Sequence, residues 1–375
     1  MRRLFASLAV AAASFAVTRA APPPVVIVPE VPTDDPGGGG TTFLPADFIR
    51  YAGGLYAPVL TIPGNPAVDA IEKMDKPGNW LFSVEAASNL GGSLPTPAEP
   101  RDVIRRDSAA AYSFFFCGAG AGVPAASNVD AIYLEGGDTG NLIVSFDVPT
   151  TIGASTFDPA DLVRFRHTGP ACGDWALAAV PLAFDASAAG AGIPATTNLI
   201  GADLVGGKLV LAFDVPSDLL PTLGPTTYVP GDLVTWDGAN FSIFESLAAW
   251  PISSLVDGLT GPANPGRVPP TLKINKSTLT PGDLTLIWTA SCSEGAIDYG
   301  IYQGTIGSWY SHTLKDCHDD PPALTEEVTP AAASSYYLVV PQNGIEEGSY
   351  GLATAGERPV GAAQCIGLQS ITACP

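Results

Sequence analysis

Short apolar runs, separated by Gly, Pro, Asp or Asn, recur in the same order along residues 43–261. Each unit holds an acidic residue followed by two apolar residues, an aromatic or apolar run, a run similar to Val-Asp-Ala-Ile, and a near-continuous apolar run. Runs of this length between turn residues are typical of β-strands, and none has the period of an amphipathic helix. The pattern predicts an all-β repeat with four short strands in each unit.

The acidic landmark sets the length of the repeat. It occurs at Asp47, Asp102, Asp161 and Asp232, at intervals of 55, 59 and 71 residues. Four strands in a unit of this length match a propeller blade, and one blade cannot bury both of its faces alone. We therefore predict a propeller-like β-repeat domain of about four blades over 43–261, with an open β-sandwich as the alternative. Three of the four Asp precede an Arg by three residues, which predicts turns with a local Asp–Arg contact.

The repeat starts and stops within a unit, which suggests how a ring closes. The last unit ends near Asp257, whereas the β-branched run at residues 25–28 precedes the first unit. If this run supplies the missing strand, the two ends of the repeat meet in one blade and leave no exposed sheet edge there. In the sandwich alternative the run stays disordered.

The remaining segments differ in composition from the repeat. Residues 1–20 have a basic start, a short apolar core and a small residue at the end, which is typical of a secretory signal peptide and too short to span a bilayer. Residues 21–42 form a Pro- and Gly-rich leader, and residues 262–270 contain four Pro in nine, typical of a linker. We predict cleavage after residue 20, no transmembrane anchor afterwards, and a second module with a C-terminal tail over 271–375.

The second module has alternating strand-like runs, broken by Gly, Pro and Asn, that favour a small antiparallel sandwich. Pro269 and Pro270 precede it, Trp288 ends a second-strand run, and residues 337–344 form a later strand and turn. These features resemble fibronectin type III modules over about 268–362. The resemblance implies a β-sandwich that serves as a spacer or binding unit more often than as an enzyme.

The charge of the chain excludes two classes of partner. Its 37 Asp and Glu against 17 Lys and Arg give a net charge of −20, which becomes −23 once the three Arg of residues 1–20 are removed. Such a field repels phosphate backbones and anionic lipid, so no nucleic-acid or membrane-surface partner is expected. A composition of 41 Gly, 36 Pro and 46% apolar residues is that of a folded, turn-rich protein. Extracellular glycans, protein ligands and metal cations remain as partners.

All six Cys lie beyond residue 20, and an even number in an oxidising compartment predicts disulfides. The chain has no Cys-x2-Cys pair of the kind that favours zinc. Proximity along the chain suggests the pairs Cys117–Cys172, Cys292–Cys317 and Cys365–Cys374.

Enzyme motifs are scarce in this sequence. It has three His and no Gly-x-Ser-x-Gly, metalloprotease or phosphate-loop motif, which argues against nucleophilic triads and metallohydrolases. Carboxylates, which glycosidases use in pairs, are abundant. A carbohydrate-active enzyme with catalytic acids in the repeat domain is therefore the alternative to a non-catalytic protein.

Four Asp are candidate ligands for a cation. Asp69, Asp130 and Asp257 recur at equivalent points of the units, and Asp203 lies near its equivalent point with a shift. In a propeller the innermost strands repeat their side chains around the axis, so these acids would form a ring of oxygen ligands suited to Ca²⁺. The alternative is that each Asp caps a turn or bonds to a neighbouring strand.

Aromatic residues of the second module are candidates for ligand binding. Trp309 and Tyr310, with Tyr302 nearby, cluster in a stretch with few charges, and exposed aromatic faces stack on neutral sugars. Core packing is the alternative role for them. Together these patterns predict a secreted or cell-surface, non-catalytic binding, adhesion or display protein, for which Ca²⁺ is a candidate stabiliser.

Overall fold

A computed structural model describes residues 24–91, 94–107, 110–188, 192–214, 228–229, 231–247, 250–251, 254–293, 295–317, 324–331, 334–354 and 356–371. The predicted signal peptide and Cys374 lie outside the described residues. Within these ranges the chain forms strands and turns without a helix, which confirms the all-β prediction. None of the described segments is therefore a helix long and apolar enough to cross a membrane.

The strands are numbered in chain order. The first ten are β1 (Val25–Pro29), β2 (Thr33–Asp34), β3 (Thr42–Phe43), β4 (Asp47–Ala52), β5 (Leu55–Thr61), β6 (Ile71–Lys73), β7 (Trp80–Phe82), β8 (Val103–Arg106), β9 (Tyr112–Phe116) and β10 (Val129–Glu135). The next ten are β11 (Asn141–Phe146), β12 (Thr150–Ile152), β13 (Ser155–Phe157), β14 (Leu162–His167), β15 (Trp175–Phe184), β16 (Leu199–Val205), β17 (Lys208–Phe213), β18 (Asp232–Trp236), β19 (Phe241–Ser246) and β20 (Val256–Thr260). The last eight are β21 (Lys273–Lys276), β22 (Leu284–Ile287), β23 (Asp298–Thr305), β24 (Ser308–Asp316), β25 (Thr325–Val328), β26 (Ser335–Gln342), β27 (Leu352–Ala353) and β28 (Gly356–Glu357).

Sixteen of the strands β1–β20 form four antiparallel sheets of four strands, the blades, and the other four pair as β2-β3 and β12-β13. Blade 1 has the order β20-β1-β4-β5, blade 2 is β6-β7-β8-β9, blade 3 is β10-β11-β14-β15, and blade 4 is β16-β17-β18-β19. The innermost strands β20, β6, β10 and β16 contact their neighbours all the way round. The four blades therefore form a closed ring, and the propeller-like prediction is confirmed in preference to the open sandwich.

Strand β1 closes the ring. It pairs on one side with β20, with Ile27 opposite Leu259, and on the other side with β4, with Ile27 opposite Ile49. Residues 25–28 thus supply the strand that the end of the repeat lacks, as the sequence pattern predicted. One blade joins the two ends of the repeat, so neither β20 nor β4 has an unpaired edge at this position.

Four apolar cores fill the gaps between the blades. Because side chains alternate along a strand, β1 serves two of these cores. Val25 and Ile27 pack in the core shared with blade 4, whereas Val26 and Val28 pack in the core shared with blade 2. The other two cores lie between blades 2 and 3 and between blades 3 and 4. Each blade thus depends on both neighbours to bury its faces.

The recurrent Asp of the repeat stabilises one turn in each blade. Each carboxylate accepts a hydrogen bond from the backbone N–H three residues earlier, at Asp47 (2.7 Å), Asp102 (3.0 Å), Asp161 (2.9 Å) and Asp232 (3.0 Å). The turn prediction is confirmed, but no Asp–Arg hydrogen bond accompanies it among the described residues. Arg164 instead pairs with Glu135, whose Oε2 lies 2.8 Å from the Arg164 Nε. Because side chains along a strand alternate between the two faces of the sheet, the Asp and the Arg three residues later lie on opposite faces.

The second module is a sandwich of two three-stranded sheets, β21-β22-β25 and β24-β23-β26. Leu286 and Val328 from one sheet and Ile301 and Val339 from the other pack in one core. Trp288, the end of the predicted second-strand run, is buried with its ring edge-on to Tyr299. This architecture agrees with the predicted antiparallel sandwich.

The closing strand yields a prediction about stability. Ile27→Ala removes a fully buried side chain from the strand that joins the ends of the ring, and it should lower the free energy of unfolding by about 2–4 kcal/mol. Urea denaturation of the purified chain measures this. Leu55→Ala, on the outer strand β5 of the same blade where Leu55 is 73% exposed, is the matched control and should change stability by less than about 0.5 kcal/mol. Equal losses in the two variants would contradict the role assigned to β1.

Candidate functional site

Three of the four predicted metal-ligand acids meet at one end of the propeller axis. Asp69, Asp130 and Asp257 border a cavity of about 250 Å³, which we call the axial cavity. The other described residues of its lining are two amides, two aliphatic side chains and four further carboxylates, with no cationic side chain among them: Glu30, Glu85, Asn128, Asp147, Asn198, Ile200, Asp214 and Leu255. The ring therefore concentrates seven carboxylates at one opening.

The repeat explains why these side chains converge. Each acid lies at the start of an innermost strand or just before it, and these strands surround the axis side by side. In blade 4 the equivalent position is Ile200, which lines the axial cavity. Asp203 lies three residues later on β16, about 10 Å along a strand, and borders a different cavity. The structure therefore separates Asp203 from the other three acids, because the register of β16 assigns the axial position to Ile200.

The acids of the axial cavity differ in their hydrogen bonds. Asn128 Nδ2 donates to Asp69 Oδ2, and Asn198 Nδ2 donates to Asp130 Oδ2, so each amide joins two successive blades. Asn128 and Asn198 each lie two residues before the axial position of their blade. In blade 2 this position is Ala67, which has no side-chain amide to donate to Asp257. The Asp257 carboxylate accordingly has no hydrogen bond to any other part of the chain that the structure describes.

Burial and mutual repulsion make these carboxylates hold protons tightly. Burial, only partly offset by the Asn128 amide, raises the pKa of Asp69 to about 7. Burial and the neighbouring Asp69 raise the pKa of Asp257 to about 9. Burial followed by the charge of Asp69 also raises the pKa of Asp130 well above its ordinary value. Among the described residues that line the cavity, none supplies a positive charge that would stabilise the ionised carboxylates.

Two observations bear on whether a cation fits this cavity. The Oδ1 atoms of Asn128 and Asn198 are buried and have no hydrogen-bond partner, so two oxygen atoms beside the acids remain unsatisfied. Within the described residues, however, no three His, Cys, Asp or Glu side chains are grouped closely enough to hold a metal ion. A cation would therefore require the carboxylates to move closer together or to bind through water.

The other end of the axis holds a separate cavity. A Cβ added at Gly201 would lie 2.9 Å from Leu259 Cβ, and one added at Gly258 would lie 3.2 Å from Ile71 Cγ1. Neighbouring innermost strands therefore pack closely between the residues that line the axial cavity and those that line the other cavity. Beyond this constriction a cavity of about 300 Å³ lies between the ring and the second module, and we call it the junction cavity.

Glu72 and Asp203 form the acidic centre of the junction cavity. Thr260 Oγ1 lies 3.0 Å from Glu72 Oε2 and 3.2 Å from Asp203 Oδ2. Burial and the nearby Asp203 raise the pKa of Glu72 well above its ordinary value. Glu72 was not predicted from the sequence, although Glu72, Tyr133, Asp203 and Thr260 each lie three residues after the axial position of their blade. That constant spacing is the signal that identifies the second ring of side chains.

The predicted aromatic residues do not form one cluster. Trp309 is 64% exposed and Tyr310 is 50% exposed, and both line a groove of about 440 Å³ together with Tyr336 and Arg358. The Trp309 and Tyr336 ring centroids are 5.6 Å apart with an interplanar angle of 39°. Tyr302, by contrast, is fully buried and donates a hydrogen bond to Glu347. Only two of the three predicted aromatics therefore belong to this surface, which we call the aromatic groove.

The backbone of β24 turns the two exposed aromatics outward. The pairing of β23 with β24 is irregular between Gln303 and Thr305, because β24 has extra residues opposite this part of β23. Tyr310 has a φ of 68°, a left-handed conformation that is unusual for a bulky residue. Such bulges redirect side chains away from the regular alternation of a strand. The exposure of Trp309 and Tyr310 therefore follows from a local distortion of the backbone.

The structure confirms one predicted disulfide and contradicts two. Cys117 and Cys172 are bonded, with a Cα–Cα distance of 5.0 Å, and join the end of β9 to the segment before β15. Cys292 is also disulfide-bonded, but Cys317 and Cys365 are thiols. The predicted pairs Cys292–Cys317 and Cys365–Cys374 are therefore wrong. Proximity along the chain fails in the second module because sheet pairing, not sequence distance, decides which cysteines meet.

The raised pKa of Asp257 yields a prediction about pH. Because its pKa in the folded state, about 9, lies above the ordinary value of 3.8, stability is greatest at low pH and is lost as the pH rises between these values. Asp257→Asn should therefore stabilise the protein, and the gain at about pH 8.5 should exceed the gain at about pH 5.5 by at least 1 kcal/mol, roughly one pKa unit. Thermal and urea unfolding at the two pH values measure the gain.

The matched control for this prediction is Asp34→Asn, which neutralises an exposed acid on β2. It should leave the pH dependence of stability unchanged. If Asp257→Asn destabilised the protein at about pH 8.5, the ionised carboxylate would have a stabilising partner, which would contradict a raised pKa for Asp257.

Comparisons with known proteins do not assign a family. No protein-family model and no curated protein match the chain. PorZ, a surface component of the type-IX secretion system of Porphyromonas gingivalis, is similar over 79% of this chain and 46% of its own, with 12% identity and a TM-score of 0.27. The extracellular domain of a putative one component system from B. thetaiotaomicron is similar over 79% and 47%, with 9% identity and a TM-score of 0.28.

A solved mitotic checkpoint complex is also similar, over 78% of this chain and 86% of that chain, with 11% identity and a TM-score of 0.21. The chain spans about half the length of the two bacterial neighbours, which are a surface component and an extracellular domain. Similarity at these TM-scores carries no argument about activity or ligand. The functional conclusion therefore depends on the surfaces of this chain.

Proposed function

We propose that the protein is a secreted, non-catalytic binding protein whose second module, fibronectin type III-like, presents the aromatic groove to an extracellular glycan. The exposure of Trp309, 64%, is the observation that carries the proposal. Leaving a large aromatic side chain in water forfeits about 1.5–3 kcal/mol that burial would provide. Unlike an isolated exposed side chain, Trp309 adjoins Tyr310 and Tyr336 in one groove, and a contiguous exposed apolar patch of this kind is typical of a binding surface.

The chemistry of the aromatic groove favours a sugar. The rings of Trp309 and Tyr336 offer apolar faces on which the C–H surface of a pyranose can stack. Arg358 borders the same groove and supplies N–H donors for hydroxyl oxygens. The net charge of −20 disfavours polyanions at long range. A neutral polysaccharide is accordingly the ligand class that we propose.

Backbone strain supports a functional role for Tyr310. A non-glycine residue in the left-handed region costs of order 1 kcal/mol, and such strain clusters at functional sites. The conformation directs an aromatic side chain, 50% exposed, to the same groove as Trp309. Strain and exposure thus coincide at one surface.

The alternative function is a carbohydrate-active enzyme that uses Glu72 and Asp203. Their shared contact with Thr260 and the raised pKa of Glu72 are the features that a general acid beside a second carboxylate requires. Both carboxylates are buried, and both already accept hydrogen bonds from backbone N–H groups, Glu72 from Leu134 and Asp203 from Gly261. This engagement favours a structural role for the pair and a non-catalytic protein.

Binding of the full chain to neutral polysaccharides tests the proposal. Trp309→Ala should reduce retention on insoluble cellulose, xylan or starch about fivefold for the polysaccharide that the wild type binds, since stacking on an aromatic side chain contributes about 1 kcal/mol. Leu279→Ala is the matched control, because Leu279 is 81% exposed on the same module but outside the groove. Retention unaffected by Trp309→Ala, or absent from every polysaccharide, would reject the groove as a glycan site.

The same incubations distinguish a binder from an enzyme. New reducing ends should not accumulate with the wild-type chain. Turnover that is abolished by Glu72→Gln would instead establish the alternative function and overturn the non-catalytic proposal.

We also propose Ca²⁺ as a stabiliser of the axial cavity. The unsatisfied Asn128 and Asn198 oxygens beside three buried acids support this proposal, since Ca²⁺ prefers oxygen ligands.

At about pH 8, millimolar Ca²⁺ should raise the melting temperature of the full chain by several degrees, and a chelator should reverse the shift. The double variant Asp69→Asn, Asp130→Asn should lose the response, whereas Asp75→Asn in the junction cavity should keep it. If Ca²⁺ did not change the melting temperature of the wild-type chain, the proposal that Ca²⁺ stabilises the axial cavity would be rejected.

A further inference from the structure

Cys317 and Cys365 are two thiols that meet at the edge of the second module. Cys317 directly follows β24, and Cys365 lies in the C-terminal tail, which we define as residues 359–371. The Cys365 Sγ donates to the backbone carbonyl of Asp316 at 3.6 Å. Asp316 is the residue before Cys317, and the Cys317 thiol is, after burial, one of the groups that raise the pKa of the Cys365 thiol. Two cysteines 48 positions apart in sequence are thus neighbours in the fold.

The surroundings hold the two backbones in place. The backbone N–H of Cys365 lies 3.0 Å from Glu347 Oε1 and 3.1 Å from the hydroxyl oxygen of Tyr302. The backbone carbonyl of Cys317 accepts a hydrogen bond from Gln342 Nε2 at 2.7 Å. The backbones of both cysteines are therefore held by buried polar side chains of the second module, which keep the two residues on the same side of it.

We propose that Cys317 and Cys365 form a disulfide in the mature extracellular protein. Cys117, Cys172 and Cys292 are already in disulfides, as expected of a chain folded in an oxidising compartment. A neighbouring pair of thiols in such a chain is the remaining site of oxidation. The pairing differs from the one suggested by proximity along the chain.

The oxidation balances by exchange with a donor disulfide, such as oxidised glutathione. The Cys317 thiolate attacks one sulfur of the donor and releases the first donor thiol, leaving a mixed disulfide. The Cys365 sulfur then attacks the Cys317 sulfur and releases the second donor thiol. Two protons and two electrons pass from the cysteines to the donor, which becomes two thiols. Cys365 acts second because burial raises the pKa of its thiol and so lowers its thiolate fraction.

The disulfide would fasten the C-terminal tail over buried polar groups. The fully buried Glu347 donates its N–H to the carbonyl of Leu368 at 2.8 Å, and its own carbonyl accepts from the N–H of Ser370 at 2.8 Å. Gln369 and Ser370 also line the junction cavity. Covalent attachment at Cys365 therefore keeps the tail over Glu347 and over one side of the junction between ring and module.

Mass spectrometry of the full chain tests the bond. The protein is incubated with oxidised glutathione, denatured, alkylated without reduction and digested. We expect a peptide pair that joins Cys317 to Cys365 and disappears on reduction, with the Cys117–Cys172 pair as an internal control. Recovery of Cys317 and Cys365 as alkylated thiols, or of either one joined to another cysteine of the chain, would overturn the proposal.

Hydrogen exchange tests the consequence for the tail. In the oxidised wild type, amides of residues 359–371 should exchange at least tenfold more slowly than in Cys317→Ser, which keeps the backbone hydrogen bonds of both residues and the thiol of Cys365 but cannot form the disulfide. The conservative substitution leaves Cys365 in place, so the comparison reports the cross-link and not the loss of packing at Cys365. Equal exchange in the two proteins would show that the tail is held without the disulfide and would reject the fastening role.

Discussion

The pairing of β1 with β20 is the constraint on which the ring depends. Each blade has two apolar faces and buries them against its neighbours. If β1 were missing from blade 1, the two interblade cores on either side of that blade would be exposed. Strand β1 contributes Ile27 to one of these cores and Val28 to the other while its backbone bonds to both β20 and β4. A five-residue strand from the beginning of the described chain therefore stabilises contacts with blades that follow it much later in sequence.

Closure of the ring also produces the electrostatic character of the axis. Four innermost strands that run side by side place equivalent residues next to one another, so an acid repeated in the sequence becomes a cluster in space. Asp69, Asp130 and Asp257 are brought together in this way, and burial with mutual repulsion raises the pKa of each. The apolar Ile200 at the fourth position limits the accumulation of charge. Ring closure therefore stabilises the fold, but it also buries these acids together, which makes their ionisation unfavourable.

The second module presents a different solution to the exposure of side chains. Its strands alternate between core and surface, and this alternation buries Tyr302 while a bulge and a left-handed Tyr310 place two aromatics in an open groove. The groove and the axial cavity differ in chemistry, because one is lined by rings and an arginine and the other by carboxylates. This difference is the reason that we propose a neutral ligand for the first and a cation for the second.

The amino-acid sequence by itself determined the all-β class, the four-strand unit, the use of residues 25–28 to close the ring and the Cys117–Cys172 pair. These features depend on residue types and on a repeated spacing, and both can be read directly from the amino-acid sequence. Strand register and sheet pairing were decided only in the tertiary structure. A shift of three residues on β16 moved Asp203 to the opposite end of the axis, where it meets Glu72. Cys317 meets Cys365 for the same physical reason: hydrogen bonding between strands and the packing of the tail bring together residues whose distance in sequence carries no information about their contact.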